Sequence, residues 1–271
     1  MSIEVRDLTF SYGRRDVLSG VDLTIGSGEF VAFVGVNGCG KSTLLKLMAG
    51  LLSPDAGTVL LDGTPLASLS RRAVARRMAV LHQSLPPVPG LTVRQLVLQG
   101  RYPSRGPLGM LWAPDRDQRT EEALELAGVA HLADRLLDTL SGGERQRTRL
   151  ALAVAQETDV LLLDEPTAHL DVRHQLEVLT LVRELRAAKG LTVVAVLHQL
   201  DHAARFAERI VALRDGGVHA DGPPARVVTP DLLAQVFAVA GRVVPDEVHG
   251  TPRCLIDHPL RSPTVAEHHF T

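Results

Sequence analysis

Cysteine is nearly absent from this chain: Cys39 and Cys254 are the only two in 271 residues, too few for a disulfide framework or a zinc knuckle. Lysine is scarce too, standing only at 41, 46 and 189 among 29 basic residues. Nearly every other positive charge is an arginine, so a lysine inside a glycine-rich loop stands out. No stretch approaches the ~18 uninterrupted apolar residues that span a bilayer, and residues 1–7 hold no apolar signal-peptide core. Net charge is −2, which leaves no broad attraction to nucleic acid or anionic lipid. No internal repeat is visible. These absences predict a reduced, cytosolic protein that would reach a membrane only through a protein partner.

What is present is ordinary for a soluble protein, with 45% hydrophobic and 22% charged residues. The length allows one sizeable core with a subdomain inserted into it. Residues 3–10 and 21–25 alternate apolar and polar, as half-buried antiparallel strands do. Residues 30–34 are a continuous apolar run, which suits a strand buried on both faces. A helix is expected over 42–49, ending at Gly50, and short strands over 58–61 and 78–81. Residues 92–99, 115–127 and 141–155 show helical spacing. Strand patterns return at 160–163, 192–197 and 210–213, with a helix at 172–187. Strands alternating with helices predict a largely parallel sheet. The helical stretch from about 84 to 155 reads as an inserted subdomain, entered through the stiff connector Pro86, Pro87, Pro89, Gly90. After Pro245 the chain is expected to be polar and irregular, with mobile last residues.

Gly35-Val36-Asn37-Gly38-Cys39-Gly40-Lys41-Ser42-Thr43 fits the phosphate-loop pattern G-x-x-x-x-G-K-[ST] and lies between a buried strand and a helix. A chance match in such a chain is on the order of 1%, and the strand–loop–helix context lowers it further. The glycines let backbone N–H groups turn around phosphate oxygens, with the helix N-terminus adding positive potential. Lys41 is expected to reach the β- and γ-phosphates and Ser42 to ligate Mg²⁺. Val160-Leu161-Leu162-Leu163-Asp164-Glu165 delivers two carboxylates at a strand's C-terminal end, where open α/β sheets bind ligands. Asp164 is the candidate Mg²⁺ partner, and Glu165 the group that orients or deprotonates the attacking water. Leu140-Ser141-Gly142-Gly143-Glu144-Arg145-Gln146 opens a further helix. Ser141 with Glu144 makes a capping box, but capping does not require two glycines, and bare N–H groups at a helix start form an anion site. The two readings are compatible.

In this order the three motifs resemble those of the nucleotide-binding subunits of ABC transporters, over roughly residues 2–240. The resemblance implies a P-loop NTPase (ABC ATPase) fold of α/β class: a mainly parallel sheet, an N-terminal antiparallel β subdomain and the inserted helical subdomain, with 241–271 as a short extension. It implies ATP and Mg²⁺ as ligands. Ser141, Gly142, Gly143, Glu144 and Asp171 of one subunit would close over the ATP held by its partner in a head-to-tail homodimer. Tyr12 matches the aromatic that stacks on adenine, packing being the alternative for a tyrosine at a strand end. Gln83 matches the glutamine that contacts Mg²⁺ and joins core to helical subdomain, and His198 the γ-phosphate-sensing histidine. Ala168-His169-Leu170-Asp171 matches the segment crossing the dimer interface, with His169 where the family more often has a small or hydroxyl residue.

Several segments are similar to the importer ATPases for ferric siderophores, and less closely for haem and cobalamin: Gly100-Arg101-Tyr102-Pro103-Ser104, Ala113-Pro114-Asp115-Arg116, His131-Leu132-Ala133-Asp134-Arg135, Val196-Leu197-His198-Gln199-Leu200 and Gly250-Thr251-Pro252. Gln199 replaces the usual aspartate. The implied function is ATP hydrolysis coupled to import through integral-membrane permease subunits, with a substrate-binding protein reached through the permease. The chain would sit on the cytoplasmic face of the membrane. Non-transport ATPases of this signature carry a long coiled coil or tandem domains, and neither is present here; no basic patch marks a nucleic-acid partner. A sensor that binds without hydrolysing would not need Glu165 and His198.

Overall fold

A computed structural model describes residues 1–82, 89–112, 114 and 116–260. Strands β1 (Ile3–Tyr12) and β2 (Arg15–Ile25) form an antiparallel hairpin, with Tyr12 opposite Arg15 at its tip. Their alternating pattern buries Ile3, Val5, Leu8, Leu18, Val21 and Ile25 on one face. The apolar run becomes β3 (Phe30–Val34), buried at every position as a strand covered on both faces must be. It runs through the glycine-rich loop into α1 (Lys41–Met48). Strands β4 (Ala56–Leu61) and β5 (Thr64–Pro65) follow, and β4 pairs antiparallel with β1 to complete a four-stranded sheet of order β2-β1-β4-β5. Beyond α2 (Arg71–Ala75), β6 (Met78–Leu81) enters the second sheet.

The helical stretch contains α3 (Val93–Gln99), α4 (Tyr102–Leu111), α5 (Gln118–Leu126) and α6 (Gly142–Ala155). Residues 92–99 and 141–155 fall within a residue of their expected bounds, because Thr92 and Ser141 each close a capping box that fixes the first turn. The expected start at 115 moves to Gln118, because Asp117 is the N-cap and accepts from the Thr120 amide. Helix α4 is not legible by periodicity: Pro103, Gly106 and Pro107 interrupt it, and Gly106 has φ +71°. The connector residues 83–88, and with them Gln83, lie outside the described residues, as do 113 and 115.

The core then resumes with β7 (Val160–Asp164), α7 (Val172–Lys189), β8 (Thr192–Val196), α8 (Leu200–Phe206), β9 (Arg209–Arg214) and β10 (Gly217–Gly222). The second sheet has the order β10-β9-β3-β8-β7-β6, parallel throughout except for the edge hairpin β9–β10. Its two faces are covered by separate apolar clusters, one against the helices and the other against α1 and the antiparallel sheet.

The irregular tail expected after Pro245 is corrected by the structure. Helices α9 (Pro224–Val227) and α10 (Pro230–Phe237) lead into β11 (Val239–Pro245), which pairs antiparallel with β12 (Pro252–Pro259). The expected boundary at 240/241 falls inside β11. The hairpin leans on α8, where the Cys254 amide donates to Asp201 Oδ1 at 2.8 Å. Burial and the neighbouring Asp201 carboxylate push the Cys254 thiol up to about 12. The sequence signal was weak because a proline ends β11, prolines bracket β12 and only part of one face is covered. Residues 261–271 lie outside the described residues.

Candidate functional site

Strand order builds the site. β3, β8 and β7 are adjacent and parallel, so their carboxyl ends align in one row, where ligands of open α/β sheets bind. From β3 issues the loop 35–41, from β8 comes His198, and from β7 come Asp164 and Glu165. His198 therefore stands between the loop and the two carboxylates, although the three segments are far apart in sequence.

The loop wraps tightly onto α1. Gly40 is its N-cap with φ +103°, and a Cβ there would come within 3.0 Å of the Val17 carbonyl oxygen. Only glycine satisfies both the left-handed backbone and the close approach. Lys41 is 5% exposed, and its Nζ donates to the Gly35 carbonyl at 2.9 Å and the Val36 carbonyl at 2.8 Å. The ammonium is thus desolvated inside the curl of the loop, held where it adds charge to the helix N-terminus beneath. Such a concave array of amides and one lysine suits a polyanionic phosphate chain.

Ser42 Oγ donates to Asp164 Oδ1 at 2.6 Å. Asp164 is 4% exposed and carries no ion pair among the described residues. A buried carboxylate beside a hydroxyl oxygen fits a small divalent cation such as Mg²⁺. One residue on, Glu165 takes φ +51°, a left-handed conformation uncommon outside glycine. Its Oε1 lies 2.7 Å from His198 Nε2. The pair sits at the edge of a cleft of about 450 Å³, walled by the loop on one side and by Tyr12 on the other. Tyr12 is half exposed at the mouth and meets Phe10 edge-on with centroids 4.9 Å apart.

Of the residues named from sequence, Tyr12, Asn37, Gly38, Gly40, Lys41, Ser42, Thr43, Glu165 and His198 line this cleft. Gly35 and Cys39 belong to the loop but not to the cleft wall, and Cys39 Sγ is 3.8 Å from Lys41 Nζ. Arg15 and Val17 line it as well and were not expected. The signal for Arg15 was the hairpin register, which sets it across from Tyr12.

Ser141, Gly142, Gly143, Glu144 and Asp171 form no part of the cleft wall. They cluster with each other instead. The Ser141 amide donates to Glu144 Oε2 at 2.7 Å and the Glu144 amide returns a bond to Ser141 Oγ at 3.3 Å. That backbone donor holds the Glu144 carboxyl below the usual carboxylate range. Asp171 caps α7 in the same manner, accepting from the His174 amide, which lowers its carboxyl likewise. The start of α6 thus lies apart from the cleft of the same chain, with Gly142 exposed and Gly143 buried beneath the His174 ring.

The ABC transporter family model matches residues 18–168, more than half of the chain. The probable siderophore transport system ATP-binding protein YusV of Bacillus subtilis is 44% identical over 94% of this chain and 92% of its own length. The ferric enterobactin transport ATP-binding protein FepC of Escherichia coli is 42% identical over 90% of each chain. Among solved structures, a transporter described as of metal-chelate type, in an inward-facing conformation, superposes with a TM-score of 0.80 at 26% identity, over 95% of this chain and 97% of that one. On this family match and these identities, the chain belongs to the ABC transporter family.

Proposed function

We propose that the chain is the energy-coupling ATPase of an importer for ferric siderophores, acting as a head-to-tail homodimer on permease subunits at the cytoplasmic face of a membrane. The observation that carries this is the incompleteness of the single chain. One wall of the cleft is built, while the glycine pair at the start of α6 faces elsewhere. A second copy turned head to tail would bring its Ser141, Gly142, Gly143 and Glu144 over the phosphates held by the first, with Asp171 at the junction.

In that site the loop amides and Lys41 bind the phosphates, and Tyr12 stacks on the base. Ser42 and Asp164 would hold Mg²⁺, which would supply positive charge against the phosphates. Glu165 orients or deprotonates the attacking water, and His198, hydrogen-bonded to it, holds that carboxylate in place and contacts the γ-phosphate. Positioning and charge stabilisation thus supply most of the rate enhancement. The helical subdomain supplies the permease contact: Leu108 and Trp112 are 72% and 85% exposed along α4, with Tyr102 half exposed. Large apolar side chains exposed together mark an interaction surface. No described helix is long and apolar enough to cross a membrane, so transport would need a separate membrane partner. The cargo class rests on the relatives' descriptions. Haem and cobalamin importers are the alternative.

The test is ATP hydrolysis by wild type and Glu165→Gln, each alone and with a permease. Permease-stimulated turnover that vanishes in the variant, together with an ATP-dependent dimer on size exclusion, is the expected result. Binding without turnover in the wild type, even with permease, would assign a sensor instead.

A further inference from the structure

The residue after His198 is a glutamine whose amide is engaged. Gln199 Nε2 donates to Gln175 Oε1 at 3.0 Å. The opposite end of the Gln175 amide, Nε2, reaches the Leu170 carbonyl at 3.0 Å and the Thr167 carbonyl at 3.5 Å. Those carbonyls fix which way the Gln175 amide points, since only its nitrogen can donate to them. Its oxygen therefore faces residue 199, where only a donor completes the pair.

The loop so gripped is short and tightly turned. It begins at Glu165, folds back through the Ala168 amide onto the Glu165 carbonyl at 3.1 Å, and passes His169 at φ +61°. It ends at Asp171, whose second oxygen, Oδ2, lies 2.8 Å from His174 Nδ1. The His174 ring in turn lies flush on Gly143, where an added Cβ would sit 2.8 Å from the ring Cγ. One contiguous set of contacts therefore runs from His198 through Gln199, Gln175, the loop and His174 to the glycine pair of α6.

We propose that the Gln199–Gln175 amide pair is a positioning link that ties His198 of one ATP site to the Ser141-Gly142-Gly143-Glu144 surface that serves the other. This rests on the head-to-tail reading above. A displacement of His198 carries Gln199 with it, because the two are covalent neighbours. Through the Gln175 amide that displacement reaches two carbonyls of the loop and the cap of α7. The pair would thereby coordinate the two sites of a dimer without touching nucleotide.

The experiment compares full-length wild type with Gln199→Leu, Gln175→Leu, the double variant, and Gln199→Glu, which keeps size but loses the donor. Turnover is measured against ATP concentration with permease present, and ATP affinity is measured on the isolated subunit. Glu165→Gln serves as the control for the site itself. The expected result is a wild-type Hill coefficient above 1 that falls to 1 in every link variant. Turnover at saturation drops about five-fold, the scale of one net hydrogen bond, while ATP affinity is unchanged. The double variant is no worse than either single one, as residues acting as a unit require. Wild-type behaviour in Gln199→Glu would show that only bulk matters and would overturn the link. So would losses that multiply in the double variant, a weakened ATP affinity, or a wild-type Hill coefficient of 1. Turnover retained in Glu165→Gln would overturn the site reading, and the link with it.

Discussion

Gly142 and Gly143 are neighbours in sequence and at the start of the same helix, yet the structure predicts opposite responses to alanine. A Cβ on Gly142 would meet only Leu170 Cδ2 at 3.6 Å, an ordinary contact. A Cβ on Gly143 would meet His174 Cδ2 most closely, and would stand 2.8 Å from Cγ and 2.9 Å from Nε2, against the ~3.5–4.0 Å of optimal carbon contacts. To clear Cδ2 the ring must then retreat by more than ~1 Å, which also pulls Nδ1 away from Asp171. Neither glycine has a positive φ, so backbone strain plays no part. Overpacking of this kind costs about 1–3 kcal/mol, and alanine's helix propensity returns up to about 1 kcal/mol at either position. Gly143→Ala should therefore lower stability by about 1–2 kcal/mol, whereas Gly142→Ala should leave it unchanged or slightly raised. At ~2–4 °C per kcal/mol for a chain of this size, thermal melting of the isolated subunit resolves the two. Removing the ring relieves the clash, so His174→Ala should rescue Gly143→Ala. Equal melting temperatures for the two glycine variants, with no rescue, would refute the close approach and the contact route to α6 that depends on it.

Other outcomes follow from the same geometry. Near pH 8 the Cys254 thiol, pushed up to about 12, should resist iodoacetamide, while labelling of Cys39 should block ATP binding and be prevented by ATP; mass spectrometry of the two peptides checks both. The Glu144 carboxyl is held low by the Ser141 amide, so its contribution is present above the usual carboxylate range and is lost as pH falls through the lowered value. Glu144→Gln should flatten that part of the acid-side fall in melting temperature. Asp117 is 5% exposed, caps α5, and is paired with Arg101 and Arg105. Asp117→Ala should cost about 2–4 kcal/mol by removing a cap and the carboxylate partner of Arg105, while Arg101 keeps Glu157 and the Ala155 carbonyl, measurable by urea unfolding. Asp201→Ala removes the acceptor of the Cys254 amide and should speed hydrogen exchange in β12 before any change in the core.

Where periodicity and local chemistry coincide, the expected elements lie close to the observed ones. β3 and β6 match to the residue because each is a continuous apolar run ended by a change in composition. α3 and α6 match because side-chain caps mark their starts locally. α4 was missed because its register is broken by prolines and a left-handed glycine, and β11–β12 because its pairing joins strands whose composition reads as loop. Arg15 escaped because its place in the cleft depends on a hairpin register and on how that hairpin leans over the loop.

Residue type and spacing alone determined the chemistry: a lysine in a glycine-rich loop, two carboxylates after an apolar strand, and a capped glycine pair, each a local pattern whose meaning is carried by covalent neighbours. Strand order decided the rest. Only the adjacency of β3, β8 and β7 sets His198 against Glu165. Only side-chain packing between elements lays His174 on Gly143 and sets Gln199 against Gln175. Those contacts join residues tens of positions apart, and no spacing along the chain encodes which face of one helix will meet another.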